Sequence, residues 1–228
     1  MENLEKGILY SVATPIGNMG DITLRALEIL KAVNLIVCED TRVTKKILDR
    51  YEITNQLLSY HQHTKNKRIE EIIEKLKNGQ NIALVTDAGT PGVSDPGNIL
   101  IKEAIENEIV VSPIPGVTAL GALISVAGVD MQKFVFLGFP PHKKGRQTFF
   151  KGALEFNFPV IYYESPHRFI KNMELLKEFG IEKNIIVGRE LTKVFEEVVR
   201  GNVDEIISYF SQKEKIKGEI VVILAQSC

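Results

Sequence analysis

What constrains this chain most is a recurring order: a short β-branched run, a polar or glycine-rich loop, then a stretch of helical period. Strand-like runs at 7–13, 35–38, 56–60, 82–86 and 109–112 alternate with helical stretches at 23–33, 43–51, 67–77 and 97–107. Asn78-Gly79 closes the third helix as a C-cap. Asp95-Pro96 reads as an N-cap followed by proline at the first helical position of the fourth. Five strands separated by single helices predict a parallel sheet covered by helices on both faces.

The composition changes halfway. All 11 phenylalanines lie at Phe134 or beyond. Strand-like runs follow at 134–137, 160–163, 184–188, 197–200 and 219–224, with a helix from Ser165-Pro166 to 179 and another at 204–210. No helix separates the third and fourth of these runs, so this sheet is expected to be mixed. The chain thus reads as two α/β domains, 1–115 and 116–228, with no internal repeat.

At 44% hydrophobic and 25% charged, the 228 residues are neither disordered nor fibrous. The 28 basic and 29 acidic residues leave a net charge of −1, so polyanion binding must come from local patches. Cys38 and Cys228 are too few for a disulfide scaffold and fit a reducing cytosol. The polar N-terminus carries no signal-peptide core. Residues 109–129 are uncharged and long enough to span a bilayer by count. Pro113, Pro115, Gly116, Gly121 and Gly128 interrupt them, and a strand, a turn and a buried helix account for them better. The reading is a soluble, cytoplasmic protein with no membrane contact.

Every strand of the first half runs into a loop suited to a ligand. These loops are Thr14-Pro15-Ile16-Gly17-Asn18, Glu39-Asp40-Thr41-Arg42, His61-Gln62-His63, Asp87-Ala88-Gly89-Thr90-Pro91-Gly92 and Pro113-Ile114-Pro115-Gly116. In a parallel sheet they emerge along the carboxyl edge, where open α/β sheets bind ligands. The first loop lacks G-x-G-x-x-G and no P-loop pattern occurs, which argues against a dinucleotide or P-loop nucleotide. His61 and His63 have no Cys or carboxylate close in sequence, so a polar loop or a substrate contact is the better reading than a metal site. No G-x-S-x-G elbow supports acyl-enzyme chemistry.

An ordered series of motifs then resembles a known family. It comprises Val12-Ala13-Thr14-Pro15-Ile16-Gly17-Asn18 with Asp21-Ile22-Thr23, Cys38-Glu39-Asp40-Thr41-Arg42, and Asp87-Ala88-Gly89-Thr90-Pro91 with Ser94-Asp95-Pro96-Gly97. It continues through Tyr163-Glu164-Ser165-Pro166-His167-Arg168, Arg189-Glu190-Leu191-Thr192-Lys193 and Lys217-Gly218-Glu219. The series resembles the small-subunit rRNA methyltransferase I branch of the tetrapyrrole-methylase-like superfamily, over about residues 7–224. The resemblance implies S-adenosylmethionine bound in a cleft between two α/β domains, a homodimer, and 2′-O-methylation of a cytidine in the decoding region of 16S rRNA. Related tetrapyrrole enzymes typically carry a more glycine-rich first loop, which favours the rRNA branch.

Methyl transfer from a sulfonium to a hydroxyl needs alignment above all. Gly89 and Gly92 would let backbone groups approach a cofactor, and Pro15 and Pro91 stiffen the same loops. The expected cofactor contacts are therefore Pro15, Gly17, Asp87, Ala88, Gly89 and Val93. The superfamily pattern adds Thr118, Ala119 and Tyr163. A ribose hydroxyl needs a proton acceptor, for which Asp40, His61, Asp87 and Glu164 are candidates, with Asp40 and its neighbour Arg42 ranked first. Asp40 with Arg42 also reads as a structural ion pair, and Glu164 as a helix-terminal carboxylate. RNA contacts are expected from two acid-free basic runs, one with Lys65, Lys67 and Arg68 and the other with Lys143, Lys144 and Arg146. His167 and Arg168 join them, since cations in a first helical turn oppose the macrodipole. Phe149 and Phe150 read as core. Two other readings stay open: a methylase of the same superfamily acting on a porphyrinoid or a protein side chain, and a non-catalytic RNA-binding ribosome-assembly protein.

Overall fold

A computed structural model describes residues 6–60 and 66–226. The chain divides into two compact units, Met1–Thr118 and Ala119–Cys228. The first holds a five-stranded sheet in the order β3-β2-β4-β1-β5, built from β1 (Leu9–Val12), β2 (Leu35–Cys38), β3 (Leu57–Ser59), β4 (Ile82–Val85) and β5 (Val111–Ile114). All its pairings are parallel.

Right-handed crossovers decide which face each helix covers. The connections β1→β2 and β2→β3 run one way along the sheet, and β3→β4 and β4→β5 run the other. Accordingly, Ala26 and Leu30 of α1 (Leu24–Ala32) and Leu48 of α2 (Thr41–Arg50) pack with Val12, Ile36 and Val85. On the opposite face, Ile72 and Leu76 of α3 (Asn66–Lys77) and Leu100 of α4 (Gly97–Glu106) pack with Leu9, Val37 and Leu84. The neighbouring strands β1 and β4 therefore send their following loops to opposite faces. That is a topological switch point, the usual ligand position in such sheets.

The fifth strand lies two residues later than the sequence pattern suggests and contains Pro113. β5 is an edge strand, where a missing N–H costs little. Asp40 and Pro96 are the N-cap residues of α2 and α4, so α2 starts earlier than expected and Pro96 stands outside its helix.

The second unit carries a mixed sheet in the order β6-β7-β10-β8-β9, formed by β6 (Val135–Phe136), β7 (Val160–Glu164), β8 (Asn184–Arg189), β9 (Glu197–Gly201) and β10 (Ile220–Ala225). Strand β6 is parallel to β7, and the other pairs are antiparallel. Its core joins Phe150 of α6 (Arg146–Glu155), Phe169 and Met173 of α7 (Phe169–Glu178), Phe210 of α8 (Val203–Ser211), and Tyr162. Phe149 and Phe179 pack against this core, whereas Phe134, Phe139, Phe156, Phe158 and Phe195 are exposed, so only part of the later phenylalanines builds it, Phe149 and Phe150 among them. In the uncharged segment, α5 (Ala119–Val126) buries only Leu123 fully, so it is not the buried helix expected. Among the described residues, no helix is long and apolar enough to cross a membrane.

Candidate active site

Four loops at the carboxyl edge of the parallel sheet are cross-linked. Thr14, directly after β1, forms an isolated antiparallel bridge with Gly89 beyond β4, through N–H···O distances of 2.9 and 3.0 Å. The buried Thr14 hydroxyl donates to the Thr86 carbonyl at 3.0 Å, and the Thr86 hydroxyl donates to Glu39 at 3.3 Å. Beyond β2, the Asp40 N–H donates to Asp87 Oδ1 at 3.0 Å. Thr90 ties the β4 loop to the carbonyl of Val117 beyond β5, at 3.3 Å.

Gly89 stands at the centre of this web. Its φ of +84° suits glycine, but its N–H and C=O are both taken by Thr14, so they shape the loop. The Gly92 N–H is likewise held by the Asp95 carboxylate at 2.9 Å, and Asp95 also accepts from the Gly97 N–H at 2.7 Å. Pro15 is buried beside the bridge, whereas Gly17 and Ala88 are exposed and Asp87, Val93 and Thr118 are half-buried.

The carboxylates at this edge differ in proton affinity. Asp40 caps α2 by accepting from the Arg42 N–H at 2.8 Å, and it accepts the Arg42 guanidinium at 3.0 and 2.6 Å. Those hydrogen bonds hold its pKa at about 2. Asp40 is thus a helix cap and an ion-pair partner, the structural reading that the sequence also offers. Burial pushes Asp87 up, and the charge of Asp40 adds to this. Burial and then the charge of Asp87 push Glu39 up. Sequence reasoning assigns no role to Glu39, Thr14 or Thr86. Their position at strand ends is a signal, and Thr14 and Glu39 also fall within the motif series.

The remaining expected residues fall elsewhere. His61 and Lys65 lie outside the described residues. Lys67 and Arg68 stand in the first turn of α3, and Arg68 pairs with Glu71 at 2.7 Å, which offsets its charge. Ala119 opens α5.

In the second unit the loop after β6 runs along β7. The Tyr163 N–H donates to the Gly138 carbonyl at 2.9 Å, and the Tyr163 ring packs on Phe136 and Phe139. Lys143, Lys144 and His167 are exposed, and Arg146 and Arg168 half-buried. Helix α7 begins at Phe169, with Arg168 as its N-cap, so His167 and Arg168 precede the helix instead of lying in its first turn. Glu164 is 2% exposed, and its oxygens accept from the Ser165 N–H at 2.6 Å and from Asn172 Nδ2 at 2.5 Å. Burial raises its pKa, with both hydrogen bonds opposing. An internally held carboxylate of this kind suits positioning better than proton transfer. Asn172, which sequence reasoning misses, sits fully buried among Phe169, Met173 and Leu176. A polar residue inside an apolar helical stripe is its signal.

The family model described as Tetrapyrrole (Corrin/Porphyrin) Methylases matches residues 8–207. Solved structures share the fold: a cobalt precorrin-4 methyltransferase of cobalamin biosynthesis (TM-score 0.71, 15% identity, 95% of this chain and 94% of that one) and a diphthine synthase (0.75, 13%, 96% and 90%). Proteins named ribosomal RNA small subunit methyltransferase I are far more similar in sequence. The Synechocystis protein is 46% identical over 96% of this chain and 79% of its own length, and that of Thermotoga maritima 41% over 96% and 98%. Fold and family together define a methyltransferase enzyme. The chain belongs to the tetrapyrrole methylase family, in its ribosomal RNA small subunit methyltransferase I branch.

Proposed function

We propose that this enzyme methylates the ribose 2′-hydroxyl of a cytidine in the decoding region of 16S rRNA, using S-adenosylmethionine, within the small ribosomal subunit and as a cytoplasmic homodimer. The observation that carries the substrate class is near-full-length identity of 41–46% to relatives named for small-subunit rRNA methylation. The cofactor assignment is supported by the donor set of the first unit. Beyond β2, Asp40 is already paired with Arg42, and the half-buried Glu39 carboxylate beside it suits a cationic ligand that carries ribose hydroxyls. When bound, S-adenosylmethionine supplies an electrophilic methyl group on a sulfonium.

The protein's part is alignment and proton management. A rigid loop web presets the approach of donor and acceptor, a source of up to roughly 7–11 kcal/mol when geometry is ideal. Of the carboxylates present, Asp87 is the one we assign to accept the ribose hydroxyl proton: it stands half-buried at the sheet edge with its pKa raised by burial, while that of Asp40 is held at about 2. The exposed Lys143, Lys144 and His167 are assigned to RNA phosphates.

The test offers labelled cofactor with small subunits, free rRNA, a porphyrinoid and a protein acceptor. Label should enter the rRNA, and alkaline hydrolysis should skip one rung of its ladder, because 2′-O-methylation removes the attacking hydroxyl. Label in the porphyrinoid or the protein, with none in RNA, would overturn the reading.

A further inference from the structure

Arg146 and Arg168 are well apart in sequence, yet both lie within electrostatic reach of one buried carboxylate, Glu164. Gly145, at φ +88°, turns the chain so that Arg146 opens α6, and Arg168 is the N-cap of α7, which packs against α6. The Arg168 Nη1 donates to the Pro140 carbonyl at 3.5 Å, drawing the β6 loop onto the β7 loop. The Nε atoms of both arginines are buried without a partner. Among the described residues, the Arg146 guanidinium has no hydrogen-bond or ion-pair partner, and Glu164 is directly paired with neither arginine. Both arginines nonetheless act on Glu164 electrostatically.

A guanidinium at a helix N-terminus opposes the macrodipole, which costs energy until an anion arrives. A direct ion pair with Glu164 would fill the planar donor fork of an arginine. Ser165 and Asn172 occupy the Glu164 oxygens instead, so the carboxylate attracts both guanidinium charges without consuming their donors. The fully buried Tyr162 hydroxyl and Asn172 Oδ1 also have no partner.

We propose that Arg146 and Arg168 together grip a single phosphate of the RNA substrate, with Glu164 as the positioning residue that pre-aims both side chains. The assignment rests on the rRNA reading above. It favours a polynucleotide over a small anion because the exposed Lys143 and Lys144 on the adjoining loop continue the positive track.

Binding of small ribosomal subunits and of a decoding-region RNA fragment across a salt series tests it, with Arg146→Ala, Arg168→Ala, the double variant and Glu164→Gln. Each arginine variant should weaken binding about tenfold or more and lower the salt slope by about 0.7–0.9. The double variant should lose scarcely more than either single one, because one phosphate is shared. Glu164→Gln adds a net positive charge, so charge counting alone predicts tighter RNA binding. Loss of positioning predicts weaker binding and a raised KM for RNA, with kcat and cofactor affinity kept. If Glu164→Gln does not fold, the arginine cycle decides alone. Additive arginine losses with a doubled drop in slope, or unchanged binding in the single variants, would overturn the shared site while leaving the rRNA reading intact. Wild-type protein that binds no RNA would overturn both.

Discussion

Two glycines at the carboxyl edge of the first unit are constrained for different physical reasons. A Cβ at Gly89 would meet Ile16 Cγ2 at an ordinary 3.5 Å, so only its φ of +84° resists substitution. A Cβ at Gly116 would come within 2.8 Å of the Ala13 Cβ, which is a clash. Gly89→Ala should therefore cost about 1–2 kcal/mol of torsional strain, and Gly116→Ala about 1–3 kcal/mol from overpacking, both measured by urea unfolding. The carboxylates Asp40 and Asp87 pull stability in opposite directions with pH. Asp40, depressed to about 2, stabilises above its unfolded pKa of about 3.9, and that contribution fades as pH falls toward 2. Asp87 is raised, so its folded form holds the proton more tightly, and stability falls as pH rises from about 3.9 through its folded value. Asp87→Asn should flatten that fall in a pH series of urea midpoints. The same variant should abolish methyl transfer with cofactor binding retained by calorimetry. Loss of cofactor binding would make Asp87 a cofactor ligand instead.

At the scale of elements, end chemistry explains what is legible in the sequence and what is not. Strand β2 lies where its β-branched run predicts, because a buried central strand needs continuous apolar side chains. Helix α7 starts later than Ser165-Pro166 suggests. Glu164 takes the Ser165 N–H, and the Arg168 N–H returns to the Ser165 carbonyl, so these residues close a turn before the helix begins. Helix α8 opens with a full capping box, in which Asn202 accepts from the Glu205 N–H at 3.0 Å and Glu205 accepts from the Asn202 N–H at 2.8 Å. Asn202→Ala should cost about 1 kcal/mol in denaturant titration and leave methyl transfer unchanged.

For the molecule as a whole, a net charge of −1 means that RNA affinity has no general field to draw on. Arg68 is offset by Glu71, whereas Lys143 and Lys144 in the loop before α6 are exposed. Replacing Lys143 and Lys144 with alanine should weaken RNA binding and lower the salt slope by about 0.7–0.9 for each phosphate no longer neutralised. These two exposed lysines should act additively, unlike Arg146 and Arg168. Filter binding at several salt concentrations reads both effects, and an unchanged slope would mark the loop as merely solubilising.

The sequence by itself determined the two sheet types, the edge on which the first unit's loops emerge and the location of the second core. Those properties follow from local period, from right-handed crossover and from where phenylalanine is concentrated. Only the tertiary structure decided which groups are taken and which remain open. Gly89 gives its backbone to Thr14, Asp40 gives its charge to Arg42, and Glu164 gives its oxygens to Ser165 and Asn172. The Thr14–Gly89 pairing joins residues far apart along the chain, brought together only once the sheet has aligned β1 beside β4. Proton affinity follows from such pairings and from burial, neither of which has a local signature.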